Sequence, residues 1–175
     1  MCATEWEAAG LRPACRLEDG MIYRELRPDE TDLLQDFLYE AIFVPEGQTP
    51  LPREIILRPE LALYYEGFGS GPADTCIAAE ADGCVIGAAW ARIMEDYGHV
   101  DDSTPSIAIA VLGEYRGRGT GTQLLAELLR HLRRKGYSQA SLSVQKANAA
   151  VRLYERSGFR TVREDDAEKI MICPL

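Results

Sequence analysis

Four glycines fall within the nine residues Gly113-Glu114-Tyr115-Arg116-Gly117-Arg118-Gly119-Thr120-Gly121, and what flanks them restricts the chain most. Before the turn, Ile107, Ile109 and Val111 alternate with Ala108 and Ala110, the period of a strand. After it, Leu124, Leu125, Leu128, Leu129 and Leu132 form one apolar stripe at helical spacing. Arg133-Arg134-Lys135 suit the negative end of that helix's dipole, and Gly136 is a good stop. A strand, a glycine turn and a long amphipathic helix in that order point to a mixed α/β fold.

Such a turn is built to hold a phosphate. Glycines let backbone N–H groups come close to an anion, and a helix start offers unpaired N–H groups with partial positive charge. Arg116 and Arg118 add charge-assisted donors, worth about 1.5–3 kcal/mol each. Three patterns compete for it. A P-loop requires a lysine that the turn lacks. A dinucleotide fingerprint requires Gly at position 122, which is Thr122, and an acidic residue where Gln145 and Lys146 stand. The third is R-x-x-G-x-G, met by Arg116, Gly119 and Gly121.

The rest of the chain reads as one domain over 21–175, preceded by a mobile leader over 1–20. Strands are expected at 21–26, 75–81, 85–94, 105–112, 140–145, 159–164 and 169–173. Asp82-Gly83 marks a hairpin between the second and third. Besides the Leu-rich helix, helices are expected at 29–43, at 53–66 with Pro59 interrupting, and at 147–157. This is a largely antiparallel sheet of about seven strands with about four helices.

Charge and cysteine usage exclude several classes. The net charge of −9 argues against nucleic-acid binding. Residues 1–104 carry 7 Lys/Arg against 21 Asp/Glu, whereas 105–175 carry 12 against 7. A basic second half suits an anionic cofactor and an acidic first half suits a cationic substrate. No apolar run approaches the ~18 residues of a membrane span. The five cysteines form no C-x-x-C pair, and His99 and His131 have no partner at ligand spacing, so no metal is expected. A reducing cytoplasm fits this usage.

A second motif follows about 25 residues after the turn: Asn148-Ala149-Ala150-Val151-Arg152-Leu153-Tyr154-Glu155-Arg156-Ser157-Gly158-Phe159. It resembles the N-x-x-A-x-x-L-Y-x-x-x-G-F signature of the GNAT N-acetyltransferase superfamily, with Ala149 or Ala150 as the small residue. The R-x-x-G-x-G turn resembles that family's acyl-CoA-binding motif, and both stand in the family's order.

The resemblance implies the GNAT fold, with the fourth and fifth strands splayed at a bulge, and acetyl-CoA as co-substrate without a metal. Pantetheine would lie in the gap, paired with the backbone of Val111 and Ile109. The turn through Arg116, Gly117, Arg118, Gly119, Thr120 and Gly121, with Thr122 just inside the helix, would hold the pyrophosphate. Asn148 would bond the pantetheine arm or simply cap its helix. Tyr154 would protonate the leaving thiolate. A homodimer is a family-level expectation. An inactive acyl-CoA sensor is the rival reading, and an NAD-binding domain a second.

The implied reaction is attack of a neutral amine on the thioester. An alkylamine of pKa ~10.4 is neutral about once in 2500 at pH 7, so a base matters. Many family members place a glutamate early in the fourth strand; here Ser106 stands in that region and would orient a relaying water. Glu80, His99, Asp101 and Asp102 are the other candidates. Acidic residues between Asp29 and Glu66 predict a cationic amine acceptor such as a polyamine-like metabolite, an aminoglycoside-like drug, an amino acid or a peptide amine.

Overall fold

In the computed structural model, which describes residues 20–175 apart from Glu46, the alternating segments form seven strands. They are β1 (Ile22–Glu25), β2 (Thr75–Ala81), β3 (Cys84–Arg92), β4 (Ser106–Val111), β5 (Gln139–Gln145), β6 (Arg160–Glu164) and β7 (Glu168–Pro174). One sheet holds them in the order β1-β2-β3-β4-β5-β7-β6. Every pairing is antiparallel except β4 with β5. The mixed α/β class and mainly antiparallel sheet expected from the pattern are what is found. The leader expected over 1–20 lies outside the described residues apart from Gly20.

The helices are α1 (Leu33–Ala41), α2 (Pro59–Ala62), α3 (Thr120–Arg134) and α4 (Ala150–Arg156). Two expected helices are shorter than their periodicity suggests. The span 29–43 divides into a 3-10 turn at Pro28–Glu30 and then α1. The span 53–66 divides into a 3-10 turn at Arg53–Leu57 and then α2, because Pro59 has no N–H to continue a ladder and starts a new helix instead. The β2–β3 connection is a two-residue hairpin with Asp82 (φ 50°) and Gly83 (φ 75°) both left-handed, matching the sheet twist.

The leucine stripe of α3 packs on β2, β3 and β4, with Leu124, Leu125, Leu128 and Leu132 fully buried. Burying such a side chain contributes about 1.5–3 kcal/mol, so α3 is anchored along its whole length. Its glycine-opened start is thereby held at the C-terminal end of β4.

The splay between β4 and β5 is sharp. Ser106 and Ser141 are the one registered pair, and Ser141 N–H donates to Pro105 O at 2.9 Å. Beyond it the strands diverge. The expected bulge in β4 is not there: β3 and β4 keep one register from Arg92↔Ser106 to Gly87↔Val111. The divergence comes instead from β5, which stays in register with β7 from Gln139 to Gln145 and follows that strand away.

An unbroken register also settles which backbone groups face the gap. Leu112 N–H donates to Ile86 O, and ladder bonds alternate along an antiparallel pair. Ala110, Ala108 and Ser106 therefore turn their amides to β3. Ile107, Ile109 and Val111 turn theirs toward β5, where Ser141 takes up the Ile107 amide in the one registered pair and the other two face the gap.

Candidate active site

Helix α3 begins with no side chain capping it. Gly119 occupies the cap in the left-handed conformation (φ 86°), and the first bond inside the helix runs from Gln123 N–H to Gly119 O. The amides of Thr120, Gly121 and Thr122 thus project from its start with no ladder partner of their own. Gly117 is also left-handed (φ 74°), and a side chain at either glycine would meet no atom within 4 Å. The turn is therefore open in front of the helix, a suitable place for an anion. A Cβ on Gly121 would lie 3.6 Å from Leu153 and 3.9 Å from Ile109, so the turn adjoins both β4 and α4.

The two arginines do not both face that opening. Arg116 Nε donates to Val111 O at 2.7 Å, and its Nη2 meets the Glu40 carboxylate and carbonyl at 3.2 Å. It braces the turn against the end of β4 and against α1, so the amides at the start of α3 are positioned by a guanidinium that is itself engaged. Arg118 lies with its guanidinium carbon 5.9 Å from the Tyr115 ring centroid.

Between the diverging strands runs a crevice of about 330 Å³. Its sheet wall is Ile107–Ile109 of β4 and Ser143–Gln145 of β5, with Glu168 at the start of β7. Its helical wall includes Leu38, Ala41, Ile42, Ile55, Leu61 and Tyr64. Asn148 and Tyr154 line it from the α4 side, and Tyr97 from the β3–β4 loop.

Tyr154 is 8% exposed and sits edge-on to Phe159 with ring centroids 5.8 Å apart. Among the described residues no group hydrogen-bonds its hydroxyl. Burial pushes the phenol up to about 12, so it holds its proton at neutral pH and is in the form that donates. Asn148 Oδ1 accepts from Ala150 N–H at 2.9 Å, turning the chain into α4, and its side chain lines the crevice.

Ser106 does not line the crevice. It is 1% exposed, and its hydroxyl donates to Asp96 Oδ2 at 2.7 Å. Tyr64 donates to the same oxygen at 2.6 Å, and Asp96 Oδ1 is buried without a donor among the described residues. Burial first, then the Asp96 charge, pushes the Tyr64 phenol well above its usual range. Asp96 carried no signal in the sequence, being one acid in a polar loop.

The other base candidates are committed elsewhere. Glu80 pairs with Arg24 at 2.6 Å, and Asp101 caps its own turn by accepting from Ser103 and Thr104, bonds that hold its carboxyl below the usual range. His99 Nδ1 meets Met94 O at 3.0 Å, and the Asp102 side chain is 97% exposed. Three of the acids expected to wall an acceptor have arginine partners: Glu30 with Arg24, Asp36 with Arg53, Glu40 with Arg116. Among the described residues of that set only Glu60 lines the crevice; the other carboxylate there is Glu168, which the sequence reading passed over. No group of three metal-binding side chains occurs among the described residues, and no helix among them is long and apolar enough to cross a membrane.

Mycothiol acetyltransferase of Propionibacterium freudenreichii is 32% identical over 98 residues, which are 54% of this chain and 30% of that protein. The [ribosomal protein bS18]-alanine N-acetyltransferase of Haemophilus influenzae is 39% identical over 61 residues, 35% of this chain and 42% of that one. The chain thus spans under half the length of these curated relatives. The Salmonella typhimurium acetyltransferase-type structure yncA, solved with its cofactor acetyl-CoA, superposes with a TM-score of 0.66 at 19% identity, covering 90% of this chain and 95% of that one. That likeness shows the shared fold. The model of the Acetyltransferase (GNAT) family matches residues 32–159, and the chain belongs to that family.

Proposed function

We propose that this chain transfers an acetyl group from acetyl-CoA to a primary amine of a small molecule or peptide. The observation that carries the reading is the convergence of three features: the Ile109 amide of β4 turned to the crevice, a free and protonated Tyr154 hydroxyl lining it, and the uncapped start of α3 adjoining Ile109. In this reading the amides of Gly119 to Thr122 bind the pyrophosphate, and pantetheine pairs with Ile109 and Val111. Asn148 steadies its arm. The expectation that Arg116 itself binds phosphate gives way to a bracing role, given its bonds to Val111 and Glu40.

The chemistry balances with few parts. An ammonium acceptor first gives up one proton. The neutral nitrogen then attacks the thioester carbon, a β4 amide of the crevice stabilising the oxyanion. As the C–N bond forms and the C–S bond breaks, the leaving thiolate takes the Tyr154 proton and the phenolate recovers one from the nitrogen. The products are an acetamide and free CoA. Ser106, bound to Asp96 and shielded from the crevice, fixes the start of β4 in this scheme and relays nothing to the amine directly.

The test is thiol release from acetyl-CoA across a panel of amines. Release that depends on amine and is lost in Gly119→Glu supports the reading. Acetyl-CoA binding without release on any amine would favour a sensor domain instead.

A further inference from the structure

Glu168 is the first residue of β7, half-buried on the crevice wall. Its Oε2 accepts from Ser143 Oγ at 3.0 Å, and among the described residues it has no cationic partner. Two lysines are near in sequence, and both are engaged: Lys169 reaches Glu155 at 3.9 Å and Lys146 reaches Glu164 at 3.5 Å. The backbone is held firmly, since Ala167 and Glu168 both donate their N–H to Asp165 Oδ1 at 2.8 Å. A fixed, half-buried carboxylate with one neutral donor is under-satisfied, because a carboxylate accepts about four hydrogen bonds and burial raises the need for a counter-charge.

The helical wall supplies a matching group. Tyr64 lines the same cavity, and because its proton goes to Asp96, its oxygen can meet a ligand only as an acceptor. The two groups are near enough for the Glu168 charge to add to the forces holding the Tyr64 proton. The other charged residues of the crevice, Arg58 and Glu60, are solvent-exposed. A carboxylate without a cationic partner, facing the same cavity as an oxygen that can only accept, suits a group with several N–H donors and a positive charge.

We propose that Glu168 receives the ammonium group of the acceptor, with the Tyr64 oxygen as second acceptor, and takes the proton that the amine must lose before it attacks. The step is a transfer from R–NH₃⁺ to the carboxylate, giving R–NH₂ and the carboxylic acid, which returns its proton to solvent after the product leaves. It rests on the acetyltransfer reading above and adds the chemical class of the acceptor: alkylamines charged at neutral pH.

Butylamine, charged at pH 7, and 4-methoxyaniline, neutral at pH 7, separate this role from others. Glu168→Gln keeps the size and an acceptor for Ser143 but removes the charge. The expected result is a fall of at least 30-fold in kcat/KM for butylamine and of less than 3-fold for the arylamine, with acetyl-CoA affinity unchanged. Asp82→Asn, an exposed change of equal charge in the β2–β3 turn, leaves both amines unaffected. Equal losses for both amines, or none, would overturn the proposal. Binding of butylamine and 1-butanol to the CoA complex gives an arm independent of turnover. Wild type favours the amine at least tenfold and Glu168→Gln abolishes that preference; an unchanged preference would overturn the proposal. A wild type that binds acetyl-CoA yet turns over neither amine would sink the acetyltransfer reading alone, and the binding arm would still decide the role of Glu168.

Discussion

The Ser106 hydroxyl donates to Asp96 Oδ2 at 2.7 Å, fastening the first residue of β4 to the loop that crosses the β4/β5 split. Tyr64 closes on the same oxygen, so a strand, a loop and the helical wall of the crevice meet at one atom. Removing that atom strands two hydroxyls in a largely buried place. Asp96→Ala should destabilise the fold by about 1–3 kcal/mol, and Ser106→Ala by about 1 kcal/mol. Urea unfolding of both variants and of the double variant checks this. If the carboxylate is the shared partner, the two losses will be clearly less than additive.

Gly98 lies over the point of divergence. A Cβ there would sit 2.6 Å from Ser106 Oγ and 3.0 Å from the Leu142 and Ser143 backbone. The strand backbone cannot yield as a flexible side chain would, so Gly98→Ala should cost about 1–3 kcal/mol. A lower melting temperature with reduced acetyl transfer is expected. A variant as stable as the wild type would show that the loop moves freely off β5.

At Gly119 the obstacle is conformation rather than space, since φ is +86° and nothing lies within 4 Å. Gly119→Ala should lose about 1–2 kcal/mol of stability. Gly119→Glu adds a carboxylate in front of the α3 amides and should abolish acetyl-CoA binding. Calorimetric titration of the two variants separates strain from charge: the alanine form retains measurable affinity, the glutamate form does not.

The overall plan was legible because its signals are local. The stripe Leu124–Leu132 has one period, the Asp82-Gly83 turn has one geometry, and the glycine turn between a strand and a helix has few uses. Asn148 and Tyr154, which the second motif singled out, both line the crevice. What was not legible depends on contacts distant in sequence. Arg116 reads as free charge until Glu40, 76 residues away, claims it. Ser106 reads as an accessible relay until folding brings Asp96 and Gly98 over it. The acids of residues 29–66 read as an acceptor wall, but several are consumed by arginines. Glu168, hidden in a charged turn before the last strand, becomes a cavity carboxylate only through its register opposite Gln145.

Tyr154→Phe should reduce kcat by about 10²–10⁴-fold while leaving acetyl-CoA affinity within about threefold. The substitution also carries a pH signature. Burial raises the folded phenol from 10 to about 12, so its contribution to stability is complete below pH 10 and is lost as pH climbs through 12. Wild type should therefore lose stability over that window more steeply than the phenylalanine variant. Matching slopes would mean the hydroxyl is not buried.

Amide chemical shifts recorded while acetyl-CoA is titrated into the protein test the central claim most directly. The amides of Ile109, Val111 and Gly119 to Thr122 should move furthest and gain protection from exchange, with those of Ala108 and Ala110, turned to β3, moving less. Perturbation concentrated elsewhere, with the α3 start and the open edge of β4 unchanged, would contradict the account.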